Sequence, residues 1–141
     1  MRRALWFVTR PRSHGVHAAA FTAAGKIVLV RHSYAPGWRL PGGGVKKCET
    51  PLAALLRELE EEIGLASYAS ARHVLDFAHR PDFRRGAGSL FRLDGVAYQA
   101  RRSLEIEEVA EFDPGRLPAG ATPLTREMIA AARGAEEEDH A

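Results

Sequence analysis

The sequence predicts an α/β protein in which helices pack on a mixed β-sheet, and three features of its 141 residues carry that prediction. Short runs rich in β-branched and apolar residues, bounded by turn residues, recur as far as residue 112. One amphipathic helix interrupts them in mid-chain. A second helix-like segment follows the last of them. Strands interleaved with helices imply layers around a shared sheet. At this length the chain is expected to form one domain, residues 1–141, with one hydrophobic core.

Residues 1–14, beginning MRRALWFVTRPR, are read as an N-terminal extension. The segment VHAAAFTAAGKIVLVRH reads as two strands around a turn at Ala23 to Gly25, the second carrying Ile27, Val28 and Val30. SYAPGW is a loop, and WRLP a short extended piece leading into a glycine turn at Gly42, Gly43 and Gly44. Thr50 and Pro51 form a helix entry: the hydroxyl can cap free amides, and proline is tolerated at the first position because its missing N–H has no partner there. Leu52, Leu55, Leu56, Leu59 and Ile63 make one apolar stripe, and Gly64 ends the helix. Further strands are expected in HVLDF, SLFRL, VAYQA and from Val109 to Phe112. HRPDFRRGAG is an arginine-rich loop between the first two of these. LTREMIAAARG has helical periodicity, and residues 134–141 read as a frayed acidic tail.

Composition narrows the function. The apolar fraction is 45% and the charged fraction 27%, with no run near the length of a membrane span. The apolar run Ala4 to Val8 is too short for a signal peptide's core, so a cytoplasmic location is expected, without membrane contact. The single cysteine, Cys48, has no internal disulfide partner. Net charge is +2, but Glu136, Glu137, Glu138 and Asp139 crowd into the tail, leaving the rest more basic. Arg2, Arg3, Arg10, Arg12, Arg80, Arg84, Arg85, Arg101 and Arg102 supply much of that charge and suit an anionic small molecule or a nucleic acid.

The mid-chain helix carries the chemistry. At about 100° per residue, Glu58, Glu61 and Glu62 share a face away from the apolar stripe. On a solvated surface such crowding costs only a few tenths of a kcal/mol per pair and signifies nothing. In a partly dehydrated cleft, charges about 6 Å apart repel by roughly 2–3 kcal/mol at an effective dielectric near 20, and a divalent cation is the natural remedy. An all-oxygen donor set favours Mg²⁺ or Mn²⁺. The glycines just upstream would let bare backbone approach the ion or a phosphate.

Gly43, Glu49, Arg57, Glu58, Leu59, Glu61, Glu62, Gly64 and Leu65, at these spacings, match every fixed position of the Nudix box. The chain therefore resembles the MutT-like Nudix hydrolases, most specifically over these 23 positions and more loosely from Gly15 to Ala132. The resemblance implies an α/β/α sandwich and metal-dependent cleavage of a phosphoanhydride in a nucleoside diphosphate linked to another group. It implies metal binding by Glu58, Glu61, Glu62 and the Gly43 carbonyl. Glu61 is the first choice of general base, with Glu105, Glu107 and Glu108 in reserve, and Arg57 orients an acidic neighbour, Glu49. Position 48, often glycine in the family, is Cys48 here; metal binding should survive this, although the local backbone is expected to differ.

Around the box, Tyr34, Trp38, Arg39 and Arg84 are candidate substrate-binding residues, and His32 lies on the same approach. His17, inside an apolar strand, is read as structural. The expected partner is a nucleotide-type small molecule. Two rival readings stand beside it: an RNA 5′-end pyrophosphohydrolase, motivated by the basic loops, and a non-catalytic nucleotide-sensing module. Many Nudix proteins dimerise, so a homodimer is an open expectation.

Overall fold

The computed structural model describes residues 14–77, 87–101 and 103–140. Within them run β1 (Gly15–Thr22), β2 (Ile27–His32), β3 (Trp38–Arg39), β4 (Gly42–Gly44), α1 (Pro51–Ile63), β5 (Leu65–Ser67), β6 (Ser70–Phe77), β7 (Gly88–Tyr98), β8 (Ile106–Phe112) and α2 (Pro123–His140). The strands join in one mixed sheet. β7 runs parallel to β1, while β4 pairs with β1, β5 and β6 with β7, and β3 and β8 with β2, all antiparallel.

The period of two along β1 and β2 explains why both strands read as almost continuous apolar runs. Val16, Ala18, Ala20, Val28 and Val30 face one side, where Ala54, Leu55, Leu59 and Ile63 of α1 cover them. Ala19, Phe21, Ile27 and Leu29 face the other, against Met128, Ile129 and Ala132 of α2. The sheet thus has apolar packing on both faces, giving the α/β/α sandwich and dividing the expected single core into two clusters.

Three local readings differ. The three glycines form strand β4 rather than a turn, because their bare backbone pairs with Gly15, Val16 and His17. SLFRL and VAYQA merge into the single strand β7, which stays paired with β1 through Val96 despite a register shift. α2 continues through His140 instead of stopping at Gly134, as alanine and glutamate favour helix. At Cys48 the backbone takes φ 67°, the left-handed conformation in which glycine is unstrained. Among the described residues no helix is long and apolar enough to cross a membrane. Residues 1–13 of the N-terminal extension lie outside the described residues.

Candidate functional site

Helix α1 presses its acids against the glycine strand. Thr50 caps its start by accepting from the Ala53 N–H at 3.1 Å, and Gly64 closes it in the left-handed conformation. Leu55, Leu59 and Ile63 are fully buried, which fixes the helix rotation. Across the gap the Gly42 N–H donates to Oε1 of Glu62 at 3.0 Å. The Glu58 carboxylate lies so close to Gly43 that a Cβ there would stand 2.3 Å from its carboxyl carbon, and a Cβ on Gly42 would meet the Val16 carbonyl oxygen at 2.0 Å. Gly42 is therefore required by its close approach to the β1 backbone, while Gly43 leaves room for the Glu58 carboxylate.

Arg57 organises the acids. Its Nε and Nη2 donate to the two carboxylate oxygens of Glu49 at 2.7 and 2.9 Å, Nη2 also to the Gly44 carbonyl at 3.0 Å, and Nη1 to Glu58 at 3.0 Å. This two-pronged grip is specific to a guanidinium. The Arg57 hydrogen bonds and the Lys46 N–H lower the Glu49 pKa to about 2, and Arg57 is in return held protonated. Glu62, only 8% exposed, behaves oppositely. Burial raises its pKa to about 8, with Glu58, Glu105 and Glu61 adding repulsion and the Gly42 N–H opposing. Burial also raises Glu58, against the pull of Arg57.

Among the described residues no three His, Cys, Asp or Glu side chains converge closely enough to hold an ion. Unscreened carboxylates repel. Arg57 meanwhile holds Glu58 and stands 3.8 Å from Glu61, whose side chain is 56% exposed. The donor chemistry nevertheless fits a hard divalent cation: only oxygen ligands, a buried acid with a single hydrogen-bond donor, and a carboxylate against a side-chain-free peptide.

A cleft of about 500 Å³ opens at this point, lined by Gly42, Gly43, Gly44, Glu58 and Glu62 together with Glu105, His32, Tyr34, Arg39, His17 and the first turns of α2. A larger cavity, about 710 Å³, lies by Ser33, Arg101, Leu104, Glu107 and Glu108 and contains none of the helix carboxylates or glycines. The smaller one therefore has the chemistry.

The sequence candidates separate accordingly. Tyr34 is 74% exposed, and its ring lies 5.1 Å from that of His32. Arg39 lines the cleft, and its Nε is buried with no hydrogen-bond partner. Trp38, expected to touch substrate, is not among the lining residues: its ring packs edge-on against Phe112 at 5.0 Å, with the Arg31 guanidinium 5.3 Å from its centre. Of the reserve acids only Glu105 reaches the cleft, since Glu107 and Glu108 pair with Arg31 at 3.8 and 2.7 Å. Arg84, with Arg80 and Arg85, lies outside the described residues. His17, read as structural, lines the cleft after all. A polar residue within an otherwise apolar strand, two residues after Gly15, was the available signal.

Comparisons with known proteins agree with this architecture. Residues 11–132 match the family model of the NUDIX domain. The chain is 33% identical over 138 residues to an RNA pyrophosphohydrolase of Acidiphilium cryptum, covering 82% of this chain and 84% of that one. To an RNA pyrophosphohydrolase of Alkalilimnicola ehrlichii it is 52% identical over 108 residues, covering 67% of this chain and 60% of that one. The crystal structure of a MutT Nudix hydrolase from Burkholderia pseudomallei superposes with a TM-score of 0.73 at 26% identity, covering 85% of this chain and 97% of that one. With the matched model spanning most of the chain, and the box and fold both in place, the chain belongs to the Nudix family of pyrophosphohydrolases, enzymes that generally require divalent metal ions.

Proposed function

We propose that this cleft hydrolyses a phosphoanhydride in a nucleoside diphosphate derivative with Mg²⁺ or Mn²⁺, and that Glu58, Glu61, Glu62 and the Gly43 carbonyl hold the ion. The observation that carries this reading is the approach of Glu58 and Glu62 to the bare backbone of Gly43 and Gly42. A divalent ion bound there supplies screening of the phosphate charge and a lower pKa for attacking water. Arg57 orients the donor set by gripping Glu49 and Glu58 together. Gly42 aims Glu62 through its N–H. Glu61, the most exposed of the three helix acids, takes the proton from the attacking water, with Glu105, which lines the cleft, as the alternative base. Arg39 donates to a phosphate oxygen, and the exposed Tyr34 ring offers a surface at the cleft mouth.

Two variants test the base. Glu61→Gln is expected to lower kcat by about 10²- to 10⁴-fold with the fold retained, and Glu105→Gln by much less. Wild-type turnover in Glu61→Gln would remove Glu61 from that role.

A second reading is favoured by the relatives that are RNA pyrophosphohydrolases: the substrate is the 5′-phosphorylated end of an RNA. It predicts tighter binding of 5′-triphosphorylated oligonucleotides than of free nucleotides, weakening steeply with salt as phosphate contacts release counterions. Equal affinity for the two would exclude it. The cytoplasm remains our proposed location and a homodimer our proposed assembly; light scattering tests the second.

A further inference from the structure

We propose that His17 reads the nucleobase of the substrate at the α2 end of the cleft. The inference rests on the reading of this cleft as a nucleotide site and adds a residue that selects among nucleotides.

His17 stands in β1 between Val16 and Ala18, both of which face α1, so strand alternation turns its ring to the α2 side. There the cleft wall changes character. The glutamates give way to Leu40, Leu124 and Met128. The nearby Thr125 hydroxyl is engaged with Thr122 at 2.8 Å and the Trp38 carbonyl at 3.2 Å. The ring of Phe77, 5.9 Å away, backs the imidazole. Within this apolar pocket the Nδ1 of His17 is buried and has no hydrogen-bond partner. Buried polar atoms are nearly always paired, so an orphan atom on a side chain that lines the cleft points to a ligand group as its partner.

The chemistry of that ligand follows from the surroundings. Burial, reinforced by Arg39, lowers the His17 pKa to about 4, so the ring is neutral near pH 7 and offers one donor and one acceptor nitrogen. A neutral imidazole among apolar side chains is a poor phosphate site. It suits a flat ring with apolar faces and a hydrogen-bonding edge, the form of a nucleobase. The phosphates then lie toward Arg39 and the glutamates, and one molecule spans the cleft. A site that hydrogen-bonds its substrate rejects analogues lacking the partner group, which makes His17 a selectivity residue.

Two measurements on His17→Ala and His17→Asn test this. In the first, calorimetry follows binding of free adenosine, guanosine, cytidine and uridine to the metal-free protein. The wild type is expected to prefer one nucleoside, His17→Ala to weaken it about tenfold, and His17→Asn to change the order of preference. In the second, KM and kcat are compared for nucleoside triphosphates and for base-free ribose 5-triphosphate. Raised KM with little change in kcat is expected only for the base-bearing substrates. Unchanged nucleoside binding in a folded His17→Ala protein, no nucleoside binding by the wild type, or an equal KM rise for the base-free substrate would overturn the assignment. Metal-dependent hydrolysis of the base-free substrate would survive those results, so failure of His17 is distinguishable from failure of the hydrolase reading.

Discussion

The two helices that cover the sheet are built to different ends. α2 packs Met128, Ile129 and Ala132 against one face and adds apolar side chains to the cleft. α1 buries Leu55, Leu59 and Ile63 in the same manner, yet carries Glu58, Glu60, Glu61 and Glu62 in its C-terminal half, with no basic residue in its last turn. That is the end of a helix where the backbone dipole disfavours negative charge. α1 is thus held by packing and by its two caps, against its own electrostatics. α2 also ends in acids, Glu136 to Asp139, so the comparison teaches that position separates the helices: on the α1 face meeting β4 one acid is held in a nearly dry position and another against a bare peptide.

The sharpest way to break the comparison is to neutralise one helix and leave the other. Glu62→Gln and Glu58→Gln are each expected to lower kcat by about 10³-fold, and chelation of divalent ions should abolish turnover. Steady-state kinetics with one substrate checks both. Next in size, Arg57→Ala removes the grip on Glu49, Glu58 and Gly44, and should reduce metal affinity or turnover about 10- to 100-fold. Arg57→Lys should recover little of this, since an ammonium cannot reproduce the two-pronged bond.

Two acids of the box with opposite shifts, Glu62 and Glu49, sharpen the contrast through pH. Glu62, with a folded pKa raised to about 8, contributes stability that is complete below its unfolded value near 4.5 and disappears as pH rises through 8. Glu49, lowered to about 2, contributes stability present above 4.5 and lost as pH falls through 2. The metal-free protein should therefore melt at a lower temperature at pH 9 than at pH 6, and Glu62→Gln should flatten that slope. The smallest expected effect is at the box turn: Cys48→Gly should stabilise the protein by about 0.5–1 kcal/mol by relieving the positive φ, read as a small rise in Tm.

The site was largely legible because its requirements are local. Glu58 and Glu62 follow from helical spacing, and the glycines from the need for close backbone. What was not legible depends on pairing between distant segments. Nothing near Gly42 announces that it pairs with His17, so the glycines read as a turn and His17 as buried filler. Trp38 is a candidate substrate contact by its place next to the glycines, but Phe112, 74 residues later, packs against its ring. Likewise Glu105, Glu107 and Glu108 were inseparable by type, and only the pairing of β2 with β8 gives the last two to Arg31.

The central claim is that the acids of α1 and the backbone of β4 together form a divalent-cation site. Titration of Mn²⁺ followed by electron paramagnetic resonance, on wild type, Glu58→Gln, Glu62→Gln and the β8 control Glu107→Gln, tests it without reference to turnover. We predict specific Mn²⁺ binding in wild type and control, weakened at least about tenfold in both helix variants. Identical Mn²⁺ affinity in all four proteins would contradict it.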